Sequence, residues 1–397
     1  MNLLILAVFK YYDFFVTEFA QLFHISTEGL LLKVILPVGI SFYTFQALSY
    51  SIDVYRGKIE PTKDIIAFFA FISFFPQLVA GPIERATNLL PQFLKKREFD
   101  YDTAVDGMRQ ILWGLFKKIV VADNCAVYVD NVFSTYTNQT GSTLLLAVVF
   151  YSFQLYADFS GYSDMAIGIG KLLGFRITRN FNYPFFALNM ADFWRRWHMS
   201  LTTWVTDYVF TPLNFRFRRW GKTGMILAIV INMLVVGLWH EANWTYVLFG
   251  LYHGLLFVPL ILSGAFMKKA KLRTNRFGLP VLKDFGRMLM TFALVLAGWI
   301  IVRSESFGMA WEYFCGMMQF GTLRSSYRFF VQPDLWPANL FIVVMLVVEW
   351  LQRSKEHGLE LRLLKQYWIR YLITMIVVFS ICCFGKFGEN TFIYFQF

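Results

Sequence analysis

Charge is what this chain has least of. Only 16% of its 397 residues are Asp, Glu, Lys or Arg, against roughly a quarter in a soluble domain, and that shortage excludes most soluble folds. Cysteine is sparse as well: Cys125, Cys315, Cys382 and Cys383 sit in or beside apolar stretches without zinc-site or disulfide-framework spacing, and are read as packing residues. No period of roughly 20 to 50 residues recurs, and no Pro-, Gly- or Ser-rich linker separates modules, so a single domain over residues 1–397 is expected. A transporter often shows two related halves with matching broken helices, and none are visible. Also missing are a Gly-x-Ser-x-Gly elbow, a His-Glu-x-x-His zinc motif, a phosphate-binding glycine loop and any lipidation motif.

What the chain has instead is apolar and aromatic surface, 57% and 19% of its residues. Windows able to cross about 30 Å of hydrocarbon run Asn2 to Phe23, Leu30 to Tyr50, Asp64 to Gly81, Ala104 to Asn124, Thr143 to Leu173, Gly224 to Trp239, Thr245 to Phe266, Phe285 to Val302, Ala338 to Leu351 and Trp368 to Gly385. The expected fold is therefore all-α, a polytopic bundle of about ten spans. The first window holds Lys10, Asp13 and Glu18 and lacks a small-x-small cleavage site, which makes it a retained helix. The fifth is longer than one span, and Gly161, Gly168 and Gly170 suggest a bend or break, while Gly168, Gly170 and Gly174 within one helix also read as close packing. The net charge of +11 resides in the connections Arg85 to Arg109, Arg176 to Lys222, Lys268 to Arg287 and Arg353 to Arg370, while Ile119 to Thr143 has no Lys or Arg. That alternation fits four cytoplasmic connections in a multi-pass protein better than a nucleic-acid-binding face. It also sets the aromatic tail Thr391 to Phe397 at the outer interface.

The stretch Arg176 to Lys222 is too polar to span and too aromatic for a plain loop. At about 100° per residue, Phe193, Trp194, Trp197, Leu201, Trp204 and Val205 share one arc, and Asp192, Arg195, Arg196, Thr202 and Thr203 the other. This predicts one interfacial amphipathic helix bounded by Pro184 and Pro212. His198 lies at the arc's margin, where it either faces a cavity or anchors the helix among headgroups. Arg195 and Arg196 suit lipid phosphates, or an acidic carrier such as coenzyme A or an acyl carrier protein.

Two histidines stand inside apolar runs, where polar groups are expensive and usually functional. His240 closes Met225 to Trp239, and His253 falls within Val247 to Pro259, whereas His24 and His357 lie in polar surroundings. A buried imidazole favours its neutral form and can then take a proton from a hydroxyl, with no metal required. The plainer alternative is that both rings simply hydrogen-bond across helices. Around His240 that alternative is weaker, because Glu241, Asn243 and Trp244 bring further polar groups to the same point.

Six motifs then point one way. Phe75-Pro76-Gln77-Leu78-Val79-Ala80-Gly81-Pro82-Ile83, Asp158-Phe159-Ser160-Gly161-Tyr162-Ser163-Asp164 and Asn180-Phe181-Asn182-Tyr183-Pro184 are followed by Asp192-Phe193-Trp194-Arg195-Arg196-Trp197-His198-Met199-Ser200-Leu201, Gly237-Leu238-Trp239-His240-Glu241-Ala242-Asn243-Trp244 and Gly250-Leu251-Tyr252-His253-Gly254. In this order they resemble the membrane-bound O-acyltransferase family over nearly the whole chain, closest to its bacterial alginate O-acetylation branch, with the D-alanyl transferases of teichoic acid synthesis as cousins. The resemblance implies a bundle pierced by a funnel or tunnel, with His240 at the family's catalytic histidine and His198 at its second functional one. It implies no bound cofactor, a cytoplasmic acetyl-CoA or acyl-carrier thioester as donor, and an extracytoplasmic acetyltransferase partner that completes O-acetylation of a polysaccharide such as alginate in the bacterial inner membrane.

Under this expectation Trp197, Trp239 and Trp244 wall off water, and Arg195, Arg196, Asn243 and His253 complete the substrate contacts. Family members usually carry further spans before the segment matching Leu4 to Phe23, so the chain is expected to lack them. Glu241 stands where small residues are common, and a carboxylate there would alter the basicity of His240 or the choice of acceptor. D-alanyl transfer to teichoic acid, a proton-coupled transporter using the same histidines and a scaffold for a secreted enzyme are the competing readings.

Overall fold

The computed structural model describes residues 2–319, 335–362, 364–388 and 392. Its described elements are helical, apart from an isolated bridge between Thr274 and Pro280. Five helices are long and apolar enough to cross a membrane: Gly141–Leu172, Arg218–His240, Trp244–Leu262, Leu282–Arg303 and Tyr367–Phe384. The first is the axis of the bundle, with 83% of its apolar window buried, while Tyr367–Phe384 has 17% buried and turns outward.

Among the described residues, the other five expected windows do not form helices meeting that standard. The segment from Leu30 becomes helical only at Ile40, after Gly39 adopts a left-handed φ of 76° with Leu78 O against its Cα. A side chain at residue 39 would collide with that carbonyl. Asp64 to Gly81 divides into Ile65–Ile72 and Phe75–Leu78 at an extended Phe74, with Pro76 in the first turn of the second helix. Trp336–Leu351 is apolar but has 16 residues. The first segment is helical over Asn2–Leu6 and Tyr12–Leu22, with the wider π turn Ala7–Tyr11 between them. Tyr101–Leu115 likewise runs through a π turn, Phe116–Ala122, into Asp123–Ser134. Apart from Phe392, the tail Thr391 to Phe397 lies outside the described residues.

Gly141–Leu172 is one continuous helix, unbroken at its glycines. They let a neighbour approach instead. Gly107 and Gly114 on Tyr101–Leu115 face Gly168 and Gly161, so that a Cβ on Gly161 would lie 2.7 Å from Gly114 O and one on Gly168 would lie 2.5 Å from Gly107 O. Seven-residue spacing on both helices keeps the two contacts on one seam. Replacing Gly161 with Leu is expected to cost about 1–3 kcal/mol, because overpacking against backbone outweighs the helix propensity gained, at most about 1 kcal/mol. An unchanged melting midpoint in detergent would contradict this account of the seam.

The single amphipathic helix predicted over the central segment is also corrected. Met190–Trp194 stops, Arg195 to His198 turn sharply, and Met199–Val205 starts again, continuing through Thr206–Phe210 into Thr211–Arg216. Pro212 therefore sits in the first turn of a helix rather than ending one. The break lies at His198, whose φ of 43° is left-handed, a conformation that costs a non-glycine residue about 1–3 kcal/mol and persists only when its surroundings enforce it. Of the cysteines, Cys125 is buried and Cys382 and Cys383 are exposed.

Candidate active site

The enforcing surroundings of His198 come from the loop around Asn180. Met199 N donates to Asn180 O at 2.8 Å and Asn182 N to Arg196 O at 2.9 Å, which ties the loop to the turn along the backbone. The Asn180 side chain completes the tie. Its Oδ1 accepts from Ser200 Oγ at 2.9 Å and Ser200 N at 3.3 Å, and its Nδ2 donates to Ser163 Oγ at 3.1 Å. Ser200 Oγ in turn accepts from Ile83 N at 2.9 Å. Four of the six motifs thus meet at one buried asparagine.

That geometry sets the His198 tautomer. Asn180 Oδ1 is already an acceptor, so His198 Nδ1, 3.1 Å away, is the donor. Nε2 keeps its lone pair and has no hydrogen-bond partner among the described residues. The ring is wholly buried, edge-on to Phe159 at 4.7 Å between centroids. Burial, reinforced by the nearby His240, holds its pKa well below the ordinary histidine value, and the ring is neutral. The headgroup-anchor reading of His198 is thereby set aside.

His240 ends the Gly221–His240 helix and is partly exposed. Its ring centroid lies 6.4 Å from that of His198 and 5.1 Å from that of Trp239. It opens on a chamber of about 30 Å³ walled by Trp194, Trp197, Tyr246, Phe249 and Trp299. Trp197 packs on Trp299 at 5.1 Å, and Trp299 stacks on Phe249 at 5.8 Å. An imidazole that opens on an aromatic chamber beside a second, neutral imidazole has the chemistry to take a proton from an alcohol.

The other sequence candidates separate into three groups. Trp197 and Trp239 belong to the core around the histidines, and Trp239 is held by Phe42 at 5.4 Å and Phe45 at 5.5 Å. His253 is buried one step behind. Its Nδ1 accepts from Trp194 Nε1 at 3.3 Å, the cross-helix bond that the plainer reading anticipated. Trp194 is also shared with a groove of about 390 Å³ that carries Arg195, Thr202, Thr206 and Asn232.

The remaining candidates, Arg195, Arg196, Asn243 and Trp244, do not line the chamber. Arg195 donates to the carbonyls of Phe266 at 2.5 Å and Lys268 at 3.2 Å, and Arg196 pairs with Asp192 at 3.0 Å. Asn243 caps the next helix, its Oδ1 accepting from Thr245 N at 3.0 Å. Trp244 is 46% exposed against Phe14 and does not line the chamber. No group of three or more His, Cys, Asp or Glu side chains converges as a metal site among the described residues.

Sequence reading missed two residues here. Asn180 was part of a quoted motif but had no role, and only the fold reveals its four partners. Glu84, directly after Pro82-Ile83, is fully buried, and its carboxylate accepts from Asn88 Nδ2 at 2.6 Å and from Thr178 N. Burial pushes its pKa up despite those hydrogen bonds. A lone acidic residue beside prolines carries no periodicity signal that would have marked it as buried.

Comparison with known proteins agrees with the motifs. The model of the membrane-bound O-acyltransferase family matches residues 60–300. The chain is 40% identical to a protein named "Probable alginate O-acetylase AlgI" from Pseudomonas syringae over 328 residues, which are 82% of the chain and 60% of that protein. It is 35% identical to the peptidoglycan O-acetyltransferase of Helicobacter pylori, over 80% of the chain and 63% of that protein. The teichoic acid D-alanyltransferase of Bacillus subtilis is 29% identical, over 68% of the chain and 69% of that protein. The chain thus spans about three fifths of the length of the curated O-acetylases it matches. Family model, relatives and the six assembled motifs agree: this chain belongs to the membrane-bound O-acyltransferase family.

Proposed function

We propose that this chain transfers an acetyl group from a cytoplasmic thioester donor to an acceptor hydroxyl for the O-acetylation of an extracytoplasmic polysaccharide, with His240 as the general base. The observation that carries the reading is the pairing of a partly exposed His240 with a buried, oriented His198, their rings 6.4 Å apart beside an aromatic chamber. In the step proposed, His240 takes the proton of the acceptor hydroxyl and the oxygen attacks the thioester carbonyl. The new C–O ester bond forms, the C–S bond breaks, and the proton passes from His240 to the departing thiolate. His198, its Nδ1 committed to Asn180, presents Nε2 as an acceptor that orients the hydroxyl or the His240 ring. Trp197 and Trp239 keep water from the ester. The groove beside Trp194 is the entry for the donor, acetyl-CoA or an acyl-carrier thioester.

The names of the relatives at 40% and 35% identity, an alginate O-acetylase and a peptidoglycan O-acetyltransferase, support acetyl over D-alanyl transfer. We place the chain as one multi-pass domain in the bacterial inner membrane, its basic connections cytoplasmic. The segments Asn2–Leu22 and Tyr101–Ser134 would cross in addition to the five apolar helices, and the centrally broken helices would lie at the interface. The product ester is handed to an extracytoplasmic acetyltransferase. Purified protein in liposomes, given acetyl-CoA carrying a labelled acetyl group and alginate or peptidoglycan fragments outside, is expected to yield labelled ester in a protein-dependent manner. Label that never reaches a glycan, its partner enzyme included, would overturn the reading, and incorporation of D-alanine instead would reassign the donor.

A further inference from the structure

A helix end leaves its last carbonyls without partners inside the helix, and in a bundle with little water those groups must find donors elsewhere. Gly221–His240 ends on the proposed base, so whatever holds its last carbonyls also holds His240. Gly237 O accepts from Glu241 N at 3.4 Å. The next three are taken by the first helix of the chain. Tyr11 OH donates to Leu238 O at 2.7 Å, and Lys10 Nζ donates to Trp239 O at 2.6 Å and His240 O at 2.7 Å, with Ser41 Oγ at 3.3 Å. Lys10 and Tyr11 close the π turn Ala7–Tyr11 and reach successive carbonyls of the other helix from adjacent positions.

The charge matters as much as the hydrogen bonds. A cation at a helix C-terminus complements the negative end of the helix dipole. Lys10 also lies in the field of Glu241, the carboxylate that follows His240. The proposed base therefore has a cation as well as a carboxylate close to it. This answers the question raised by an acidic residue at position 241.

Resting on the reading of His240 as the base, we propose that Lys10 is a positioning residue that fixes the end of the His240 helix and neutralises Glu241. Nothing in the sequence joins residue 10 to residue 240, and the roles assigned so far to the active site do not include the first helix.

The test is a cycle of Lys10→Met, Lys10→Arg, Glu241→Gln and Lys10→Met with Glu241→Gln, plus Tyr11→Phe as a milder variant that keeps the charge. Each is read by acetyl transfer and by the rate at which diethyl pyrocarbonate modifies His240, followed by mass spectrometry, which needs no turnover. Lys10→Met should lower kcat about tenfold or more with the donor KM little changed, the rate equivalent of a lost charge-assisted hydrogen bond. Lys10→Arg should restore most of it, and Glu241→Gln should partly rescue Lys10→Met because the uncompensated carboxylate is gone. His240 modification should quicken in Lys10→Met and, to a smaller degree, in Tyr11→Phe, and return towards wild type in Lys10→Arg. Unchanged kcat and unchanged His240 modification in Lys10→Met overturn the proposal, and so does additivity of the two charge substitutions. If wild type transfers no acetyl group yet His240 protection follows this pattern, the positioning role stands and the acyltransferase reading falls.

Discussion

His240→Ala is expected to lower kcat for acetyl transfer by about 10²–10⁴-fold, the usual contribution of a positioned general base, while the donor KM changes little. The split follows from the geometry. His240 is one ring in the wall of an aromatic chamber, and it does not line the larger groove beside Trp194 that is proposed to take the donor. A loss shared equally between kcat and KM would make His240 a binding residue instead, and full activity would remove it from the mechanism. His198 calls for a different substitution. Because its backbone is left-handed at φ 43°, His198→Gly deletes the ring at a position where glycine is comfortable, whereas alanine would retain the strain. A smaller kcat loss than in His240→Ala, with a melting midpoint near wild type, is the result expected of an orienting group. Turnover would be measured in liposomes against the labelled glycan product.

The histidines were legible in the sequence because membrane burial makes polar residues stand out, and their motifs gave them a chemistry. What surrounds them was not. The turn at Arg195 to His198 was hidden inside a faultless amphipathic pattern, since period alone cannot tell a continuous helix from two short ones joined at a left-handed residue. The forces that fix the turn are long-range hydrogen bonds to Asn180, 18 and 20 residues away along the chain. Lys10 read as an interruption of an apolar helix, yet it caps a helix 229 residues later. Gly161 and Gly168 left two readings open in the sequence, since glycine is compatible with both a kink and a close helix contact, and only the facing Gly107 and Gly114 decide for close contact. Motif residues such as Arg195, Arg196 and Asn243 likewise make backbone ties, so the motifs around the candidate base contain its scaffold as well.

Lys117→Met is expected to be among the most destabilising single substitutions in the chain, at about 3–5 kcal/mol, the cost of leaving one member of a buried ion pair without its partner. Lys117 and Lys118 are adjacent, and in a regular helix they would face different neighbours. In the π turn Phe116–Ala122 both reach the axial helix. Lys117 Nζ pairs with Asp164 at 2.7 Å and donates to Ser160 Oγ at 2.8 Å, and Lys118 Nζ lies 2.8 Å from Asp158 and 2.9 Å from Asp123. The Lys117 side chain is 3% exposed and that of Asp164 is 15% exposed, so water screens little of the attraction. Met fits the volume of the lysine stem but leaves Asp164 with only the amide of Gln110, at 2.9 Å, among the hydrogen bonds and ion pair that now hold it. Adding Asp164→Asn should then recover most of the loss, because removing both charges is far less costly than stranding one. Melting of the two variants in the same detergent decides the matter: a double variant as unstable as the single one would mean that Lys117 acts through its packing, and a single variant as stable as wild type would mean that the pair contributes nothing. Ser160 and Asp164 lie in the motif that also supplies Ser163 to Asn180. The double variant should therefore restore catalysis along with stability, since the same turn of the axial helix supports the ion pair on one side and the His198 loop on the other.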